Sequence, residues 1–213
     1  MAEIKQAPQK GRERTFWFTA ARVLSALLTH TIYPVRYAGC EYAAMDAPFI
    51  VVSTHKHWLD PLLVGSRIKR YEVRFLGKKE LVGTKIGAWM LDKLHMIVVD
   101  RHNSDLKAMR DCVQVIRDGH VLCIFPEGTR CPDTTLEHME SGCALIALRS
   151  KAPVLPVLVD KPCRLFRTVH VTYGPPVDLS DLIAEGISAE TAEKCNSRIR
   201  EHILRLASGG AEK

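Results

Sequence analysis

The sequence predicts an α/β domain with a largely parallel sheet flanked by helices. Short apolar segments of strand length alternate with helical patterns from residue 35 onward, which is the arrangement of chains that build parallel sheets. The runs at 49–52 and 121–125 are continuously apolar, as in strands buried on both faces. In such sheets ligands bind beyond the carboxyl ends of strands, so residues that follow strands are the first candidates for a site.

The individual elements follow from apolar periodicity and from capping signals at their ends. Strands are predicted at 35–42, 48–53, 72–77, 96–99, 121–125, 154–159 (interrupted by Pro156) and 168–173. Helices are predicted at 61–66, 80–94, from a cap at Asn103 or Ser104 to Arg117, at 136–149 and at 189–206. No internal repeat or second domain boundary is apparent, so residues 34–213 are assigned to one domain.

Residues 1–33 are predicted to form a separate N-terminal extension. Residues 1–14 are a polar, basic tail, and 15–33 are mostly apolar, with a Phe-Trp-Phe cluster at 16–18. A spanning helix needs about 20 predominantly apolar residues, whereas this run carries Arg22 and His30. A helix lying on an anionic membrane surface is therefore favoured. A helix packed on the core and a true span stay open as alternatives.

Composition narrows the possible partners and the compartment. The chain has 213 residues, 46% hydrophobic and 25% charged, which is ordinary for a folded globular protein. A net charge of +6 favours anionic partners: phosphorylated substrates, acidic lipid surfaces or nucleic acid. The seven cysteines form no C-x-x-C pair, which argues against a zinc ribbon or a dithiol site and for a reducing, cytosolic environment.

The stretch from His55 to Asp60 is the strongest catalytic candidate. His55 follows the apolar run 49–52, and Asp60-Pro61 opens a helical pattern, with Asp as N-cap and Pro at the first position. The turn between them brings the carboxylate to one imidazole nitrogen and leaves the other nitrogen free to take a proton. A histidine oriented in this way is a general base. A purely structural hydrogen bond is the alternative for the pair taken alone.

Other strand ends supply further candidates. Arg101 closes the strand at 96–99, and Lys78 and Lys79 follow the strand at 72–77. The segment Phe125-Pro126-Glu127-Gly128-Thr129-Arg130 follows a buried strand, with a glycine for a tight turn and a guanidinium suited to phosphate. The apolar segment 152–157, with Val154 and Pro156, suits the wall of an apolar channel.

In this order, the segments resemble the glycerolipid acyltransferases of the lysophosphatidic acid acyltransferase (PlsC-like) family. His55 and Asp60 match the family's H-x4-D, and residues 97–101 are similar to its second block. Residues 125–130 reproduce F-P-E-G-T-R, and residues 152–157 are similar to its proline-containing apolar block. The lysine-containing stretch at 75–81 and the Tyr-Gly-Pro-Pro turn at 173–176 also resemble the family.

The resemblance implies acyl transfer from acyl-CoA or an acyl-carrier protein to the hydroxyl of a lysophospholipid, foremost 1-acylglycerol-3-phosphate, at the cytoplasmic face of a membrane. His55 is the implied base and Asp60 its partner. Val154 and Pro156 are the expected acyl channel wall, and neither a metal nor a cofactor is implied. The acceptor and its phosphate are expected to contact Lys78, Lys79, Arg101, Glu127, Gly128, Thr129 and Arg130.

The chain also departs from the family pattern. Thr54 and His57 replace the Asn and Ser that usually flank the histidine, Cys131 replaces a Ser, and Glu140 stands where a basic residue is common. A different lyso acceptor or glycerol 3-phosphate is therefore an alternative.

Functions of other classes find less support in the sequence. A catalytically idle lipid-binding protein would lack His55 or Asp60, and both are present. No nucleic-acid-binding motif, G-x-S-x-G elbow or zinc-ligand spacing is present.

Overall fold

The computed structural model describes residues 16, 17, 19, 20, 23, 33–46, 48–78, 85, 88, 96–99, 106–131 and 135–209. Its strands are β1 (Val35–Ala38), β2 (Ile50–Ser53), β3 (Val73–Lys78), β4 (Ile97–Val99), β5 (Val121–Ile124), β6 (Val154–Val159) and β7 (Val169–Tyr173). Its α-helices with defined bounds are α1 (Asp60–Ser66), α2 (Leu106–Arg117), α3 (Ser141–Ser150), α4 (Ser180–Glu185) and α5 (Ala189–Ala207).

The described strands form one sheet in the order β1-β7-β6-β2-β5-β3-β4. All neighbours are parallel except β6 and β7, which pair antiparallel. The prediction of a largely parallel sheet between helices is therefore confirmed. β2 lies between β5 and β6, so the carboxyl ends of these three strands meet at one edge of the sheet. This edge is where a parallel sheet places its ligands.

Two hydrophobic cores cover the two faces of the sheet. Along β2, Ile50 and Val52 pack into the first core, with α2, α3 and α5, while Val51 packs into the second core, with α1. All four β2 residues are buried, because both faces of this central strand are covered by helices. The continuous apolar run at 49–52 reflects this burial on both sides.

Several predicted boundaries are wrong, and each error has a local cause. The strand predicted at 35–42 ends at Ala38, where Gly39 turns the chain at a φ of 65° into a 3-10 turn, Tyr42–Ala44. The helix predicted from residue 136 begins only at Ser141, since Leu136 has a φ of 51°. The short helix α4 has too little apolar periodicity to be predicted.

Pro156 does not interrupt its strand. It pairs with Val52 of β2, and the ladder between β6 and β7 starts one residue later, at Val157 and Tyr173. The carbonyl of Pro156 accepts a hydrogen bond from the N–H of Gly174, and the proline, which has no N–H, returns none.

The N-terminal prediction is only partly within the described residues. Residues 16, 17, 19, 20 and 23 are helical, and the side chains of Phe16, Trp17 and Val23 are exposed. Among the described residues no helix is both long and apolar enough to cross a bilayer. The helix predicted at 80–94 is represented by Lys85 and Ala88, both helical, and its remaining residues lie outside the description, as do Asn103 and Ser104.

Candidate active site

The turn at residues 54–59 carries the candidate base to the ligand-binding edge of the sheet. It leaves the carboxyl end of β2 and enters α1, whose first residue is Asp60. The start of the turn is fixed by Thr54, whose Oγ1 donates to the carbonyl of Val159 (3.0 Å) and accepts from its N–H (2.9 Å). Thr54 therefore ties the turn to the end of β6.

His55 and Asp60 contact each other as the sequence predicted. Nδ1 of His55 lies 3.0 Å from Oδ2 of Asp60, and the side chains are 20% and 0% exposed respectively. In the tautomer that has its proton on Nδ1, this nitrogen donates a hydrogen bond to Asp60. The other ring nitrogen, Nε2, is then unprotonated and able to accept a proton from a substrate.

The same oxygen of Asp60 collects two backbone hydrogen bonds. The N–H groups of Lys56 and His57 donate to Oδ2 at 2.5 and 2.6 Å. These amides offset the removal of the carboxylate from water, because hydrogen bonds to charged groups are the strong ones. The N-cap predicted at Asp60 is wrong by one residue, because Leu59 occupies the N-cap. Asp60 closes the turn that precedes the helix instead of capping it.

Residues from the end of β5 hold His55 from the other side. Oε2 of Glu127 accepts from the N–H of His55 (2.8 Å), and the carbonyl of His55 accepts from the N–H of Cys131 (2.8 Å). The ring of Phe125 stacks on the imidazole with centroids 4.3 Å apart. The plane of the imidazole is therefore fixed by Asp60 at its edge and by the ring of Phe125 on its face.

Glu127 is a buried carboxyl with one oxygen engaged. Burial raises the pKa of Glu127, while the hydrogen bond from His55 N–H and the charge of Lys56 lower it. Its second oxygen, Oε1, has no hydrogen-bond partner among the described residues. Gly128 follows at a φ of 67°, a left-handed conformation that favours glycine. This glycine lets the chain turn sharply while Glu127 points back to His55.

Thr129 and Arg130 complete the turn and are exposed. Burial lowers the pKa of His57, Asp60 opposes this effect, and the charge of Arg130 lowers that pKa further. The guanidinium of Arg130 is therefore close enough to influence the histidine turn. The structure thus gathers His55, Asp60, Glu127, Gly128, Thr129 and Arg130 at the carboxyl ends of two neighbouring strands.

The remaining predicted site residues are placed differently. Lys78 ends β3, one strand beyond β5, and Lys79 and Arg101 lie outside the described residues. Val154 and Pro156 are buried within β6, with Val154 in the first core. The two clefts described below contain neither residue, so the path of an acyl chain stays a prediction.

A cleft of about 280 Å³ opens beside Glu127. Its walls include carboxylates, an amide and one guanidinium, from Glu127, Glu137, Glu140, Glu193, Asn196 and Arg200. Asn196 is buried, and its Oδ1, like Oε1 of Glu127, has no partner among the described residues. A second cleft, of about 350 Å³, runs along α5 from Ser197 to Ser208. Both oxygens are shielded from solvent, so the acceptors that the first cleft offers to a ligand are the exposed carboxylates of Glu137, Glu140 and Glu193.

Several residues that hold the histidine turn in place were not predicted from the sequence. The stacking of Phe125 under His55 was detectable only as an aromatic residue at a strand end. The link from Thr54 to Val159 joins residues 105 positions apart, and no local pattern signals it. Lys56 is 5% exposed, and its Nζ has no partner among the described residues. Burial of a lysine in such a polar stretch is not expected from sequence.

The chain is similar to known acyltransferases. The chain is 29% identical over 175 residues to the 1-acyl-sn-glycerol-3-phosphate acyltransferase of Bacillus subtilis, covering 78% of this chain and 87% of that protein. It is 28% identical over 167 residues to the protein of the same name from Streptococcus pneumoniae, covering 76% and 61%.

A solved structure shares the fold. The crystal structure of the 1-acyl-sn-glycerophosphate (LPA) acyltransferase, PlsC, from Thermotoga maritima aligns with a TM-score of 0.65 at 23% identity, covering 92% of this chain and 81% of that one. The family model described as Acyltransferase matches residues 34–160, more than half of the sequence. This match confirms the resemblance stated from the motifs, and the chain belongs to the acyltransferase family.

Proposed function

We propose that this protein transfers an acyl chain from an acyl thioester, either acyl-CoA or an acyl-carrier protein, to the free hydroxyl of 1-acylglycerol-3-phosphate, giving phosphatidic acid. The observation that carries the proposal is the pair of His55 and buried Asp60, with Nδ1 and Oδ2 3.0 Å apart. The names of the relatives from Bacillus subtilis and Streptococcus pneumoniae support this choice of reaction.

The proposed reaction begins with proton transfer to His55. Nε2 accepts the proton of the acceptor hydroxyl as its oxygen forms a bond to the thioester carbonyl carbon. The negative charge of Asp60 stabilises the imidazolium that results. When the tetrahedral intermediate collapses, the C–S bond breaks, and the leaving thiolate takes the proton from Nε2. Atoms and charge balance without a covalent enzyme intermediate.

The residues after β5 are proposed to bind the acceptor. Arg130 is exposed beside the histidine turn, and its planar guanidinium matches two phosphate oxygens. Gly128 and Thr129 allow the backbone to approach that phosphate, and Glu127 holds the turn in place through the N–H of His55. Lys78, Lys79 and Arg101 are proposed to add positive charge, and Val154 and Pro156 to border the acyl chain.

A second acceptor class is favoured by the cleft beside Glu127. The exposed carboxylates of Glu137, Glu140 and Glu193 on its walls suit a lysophospholipid whose headgroup carries an amine or hydroxyl groups. Such a headgroup would donate hydrogen bonds to these carboxylates.

The location is proposed to be the cytoplasmic face of a membrane, with residues 1–33 as a surface anchor and residues 34–213 as the catalytic domain. Exposure of Phe16, Trp17 and Val23 supports an apolar contact at the N-terminus. Deletion of residues 1–33 is expected to lower sedimentation with anionic vesicles.

The reaction is tested by measuring thiol release with a matrix of acceptors and donors. Glycerol 3-phosphate and the lysophospholipids with phosphate, glycerol and ethanolamine headgroups are each paired with acyl-CoA and with acyl-carrier protein. We expect turnover that requires both a lyso acceptor and a thioester, highest with 1-acylglycerol-3-phosphate. Thiol release that is independent of any acceptor would indicate a thioesterase and contradict the proposal.

A further inference from the structure

The loop that joins β6 to β7 ends in an exposed apolar turn. Arg164 and Arg167 close the turn through a backbone hydrogen bond of 3.1 Å, and Leu165 and Phe166 form its tip. The tip side chains are 60% and 76% exposed, and Phe166 has the most exposed of the large apolar side chains in the described part of the protein. Two large apolar residues therefore face solvent side by side.

The backbone of Phe166 makes this residue choice unusual. Its φ is 57°, in the left-handed region that glycine and asparagine adopt readily and that bulky side chains avoid. A phenylalanine here gains nothing from burial in the fold and is disfavoured by its backbone conformation. Outliers of this kind are commonly kept for a functional reason.

The base of the loop is anchored close to the catalytic pair. Asp160 and His170 exchange backbone and side-chain hydrogen bonds across it. Cys163 is buried in the second core with Leu59 and Leu63. Burial raises the pKa of Cys163 to about 11, and the charge of Asp60 contributes to the rise. The tip therefore projects from a fixed base, not from a free loop.

The loop and the histidine turn share one edge of the sheet. They leave the carboxyl ends of β6 and β2, which are neighbouring parallel strands, and Thr54 joins them through Val159. The histidine turn also carries an exposed aromatic residue, Trp58, at 59%. The exposed apolar side chains of both loops thus lie on the same edge of the sheet as His55.

The charges beside the tip are positive. Among the described residues, no acidic side chain forms an ion pair with Arg164 or Arg167. Lys161, by contrast, pairs with Asp160 at 3.3 Å. Two unneutralised guanidinium groups flanking an apolar tip match the anionic headgroups and the acyl layer of a bilayer.

We propose that the Arg164–Arg167 turn is a membrane-docking element that inserts Leu165 and Phe166 into an anionic bilayer and presents the His55 site to lipid acceptors. This inference deepens the proposed function, since it rests on an acceptor that resides in the membrane. It adds a second contact, independent of residues 1–33, and fixes which edge of the domain faces the lipid.

The full chain is tested by sedimentation with vesicles of equimolar phosphatidylcholine and phosphatidylglycerol. The double variant Leu165→Ser, Phe166→Ser is expected to bind about tenfold more weakly, given the apolar area that it withdraws from the bilayer. Ile187→Ser, a matched control at a side chain 50% exposed, should bind like wild type. Wild-type vesicle affinity in the double variant would overturn the proposal.

Two substitutions at Phe166 separate docking from folding. Phe166→Gly suits the left-handed backbone, so its thermal midpoint should not fall, while vesicle binding should weaken several-fold. Phe166→Trp, made with Trp17, Trp58 and Trp89 each replaced by Phe, should retain binding and give a fluorescence signal that brominated lipid quenches. A Phe166→Gly variant that binds vesicles like wild type, or an unquenched Phe166→Trp, would contradict the insertion.

Activity measurements keep this proposal distinct from the proposed reaction. For the double variant, the ratio of turnover with vesicle-embedded acceptor to turnover with dispersed short-chain acceptor should fall about tenfold. Inactivity of the wild type with both acceptors would refute the proposed reaction and leave the vesicle-binding result standing. A variant that binds vesicles normally but has a raised KM for acyl-carrier protein would assign the turn to that acidic partner and overturn membrane docking.

Discussion

His55 and His170 each place Nδ1 3.0 Å from an aspartate oxygen, but the two pairs differ in their surroundings. Asp60 is fully buried and accepts two backbone hydrogen bonds besides that of His55. Asp160 is 29% exposed and His170 50% exposed, with Lys161 also bound to the carboxylate. The contact length is the same in both pairs.

The difference teaches that a His–Asp contact alone does not make a catalytic base. Around His55, the backbone is held by Glu127 and the ring is stacked on Phe125. His170 lies on β7, and its partner Asp160 closes the base of a hairpin loop. We therefore propose catalysis for the inner pair (His55 and Asp60) and a structural role for the outer pair (His170 and Asp160).

The largest expected effect is a difference in the rate of thiol release between variants of the two histidines. His55→Ala should reduce the rate of thiol release by about 10²–10⁴-fold, the contribution typical of general base catalysis. His170→Ala should change it by no more than about twofold, as expected for an exposed side chain. Both variants need an unchanged circular dichroism spectrum. A folded His55→Ala enzyme with the wild-type rate would refute the mechanism, and an inactive, folded His170→Ala would remove the distinction.

The next largest effect is on the free energy of unfolding, which substitution of Asp60 should lower more than substitution of Asp160. Asp60→Ala leaves the N–H groups of Lys56 and His57 without their acceptor. Buried unsatisfied donors cost about 1–3 kcal/mol each, so a loss of about 2–6 kcal/mol is expected. Asp160→Ala should cost less than about 1 kcal/mol, because exposed pairs contribute little. Urea unfolding of both variants measures the difference. Equal losses would show that burial does not distinguish the pairs.

Substitution of Arg130, beside the inner pair, and of Lys161, beside the outer pair, should have different effects on the KM for the substrates. Arg130→Ala should raise the KM for a dispersed phosphate-bearing acceptor by about tenfold and leave the KM for the thioester unchanged, since charged hydrogen bonds contribute about 1.5–3 kcal/mol. Lys161→Ala, next to the outer pair, should change neither constant. A selective rise in the thioester KM for Arg130→Ala would instead place the guanidinium on the donor.

The smallest effect concerns the carboxyl that holds the inner pair. Because burial raises the folded-state pKa of Glu127, the folded protein binds more protons than the unfolded chain as pH rises from about 4.5 to that higher pKa. The contribution of Glu127 to stability therefore falls as pH rises through this window.

Glu127→Gln keeps the shape of the side chain and removes the titration. Its Tm relative to wild type should increase with pH across the window, because the wild type alone loses stability there. Glu137→Gln, at an exposed position on the same cleft, is the control and should show no such trend. A constant difference between Glu127→Gln and wild type would show that the carboxyl does not change its protonation on folding.

The sequence predicted those parts of the molecule that depend on local patterns. Continuous apolar runs gave the buried strands, and the short interval from His55 to Asp60 fixed their contact, because a turn between a strand and a helix leaves few geometries. Phe125 to Arg130 was placed at the correct edge for the same reason.

Features that depend on distant contacts were not predictable. The pairing of β2 with β5 and β6 brings Glu127 to His55 and Val159 to Thr54, across separations of 72 and 105 positions. The antiparallel return of β7 and the exposure of Phe166 likewise arise from the assembled sheet. Apolar residues in a loop of the sequence look the same whether they end in the core or in solvent.

The hydrogen bond from the N–H of residue 55 to Glu127 has a consequence for redesign. Because Glu127 accepts this hydrogen bond from the main chain, the contact does not depend on which side chain residue 55 carries. The stacking on Phe125 is likewise open to any flat or apolar group. We therefore expect that His55 can be replaced by a residue with a different reactive group, such as a thiol or a non-natural imidazole, without a change in the backbone conformation of the surrounding turn.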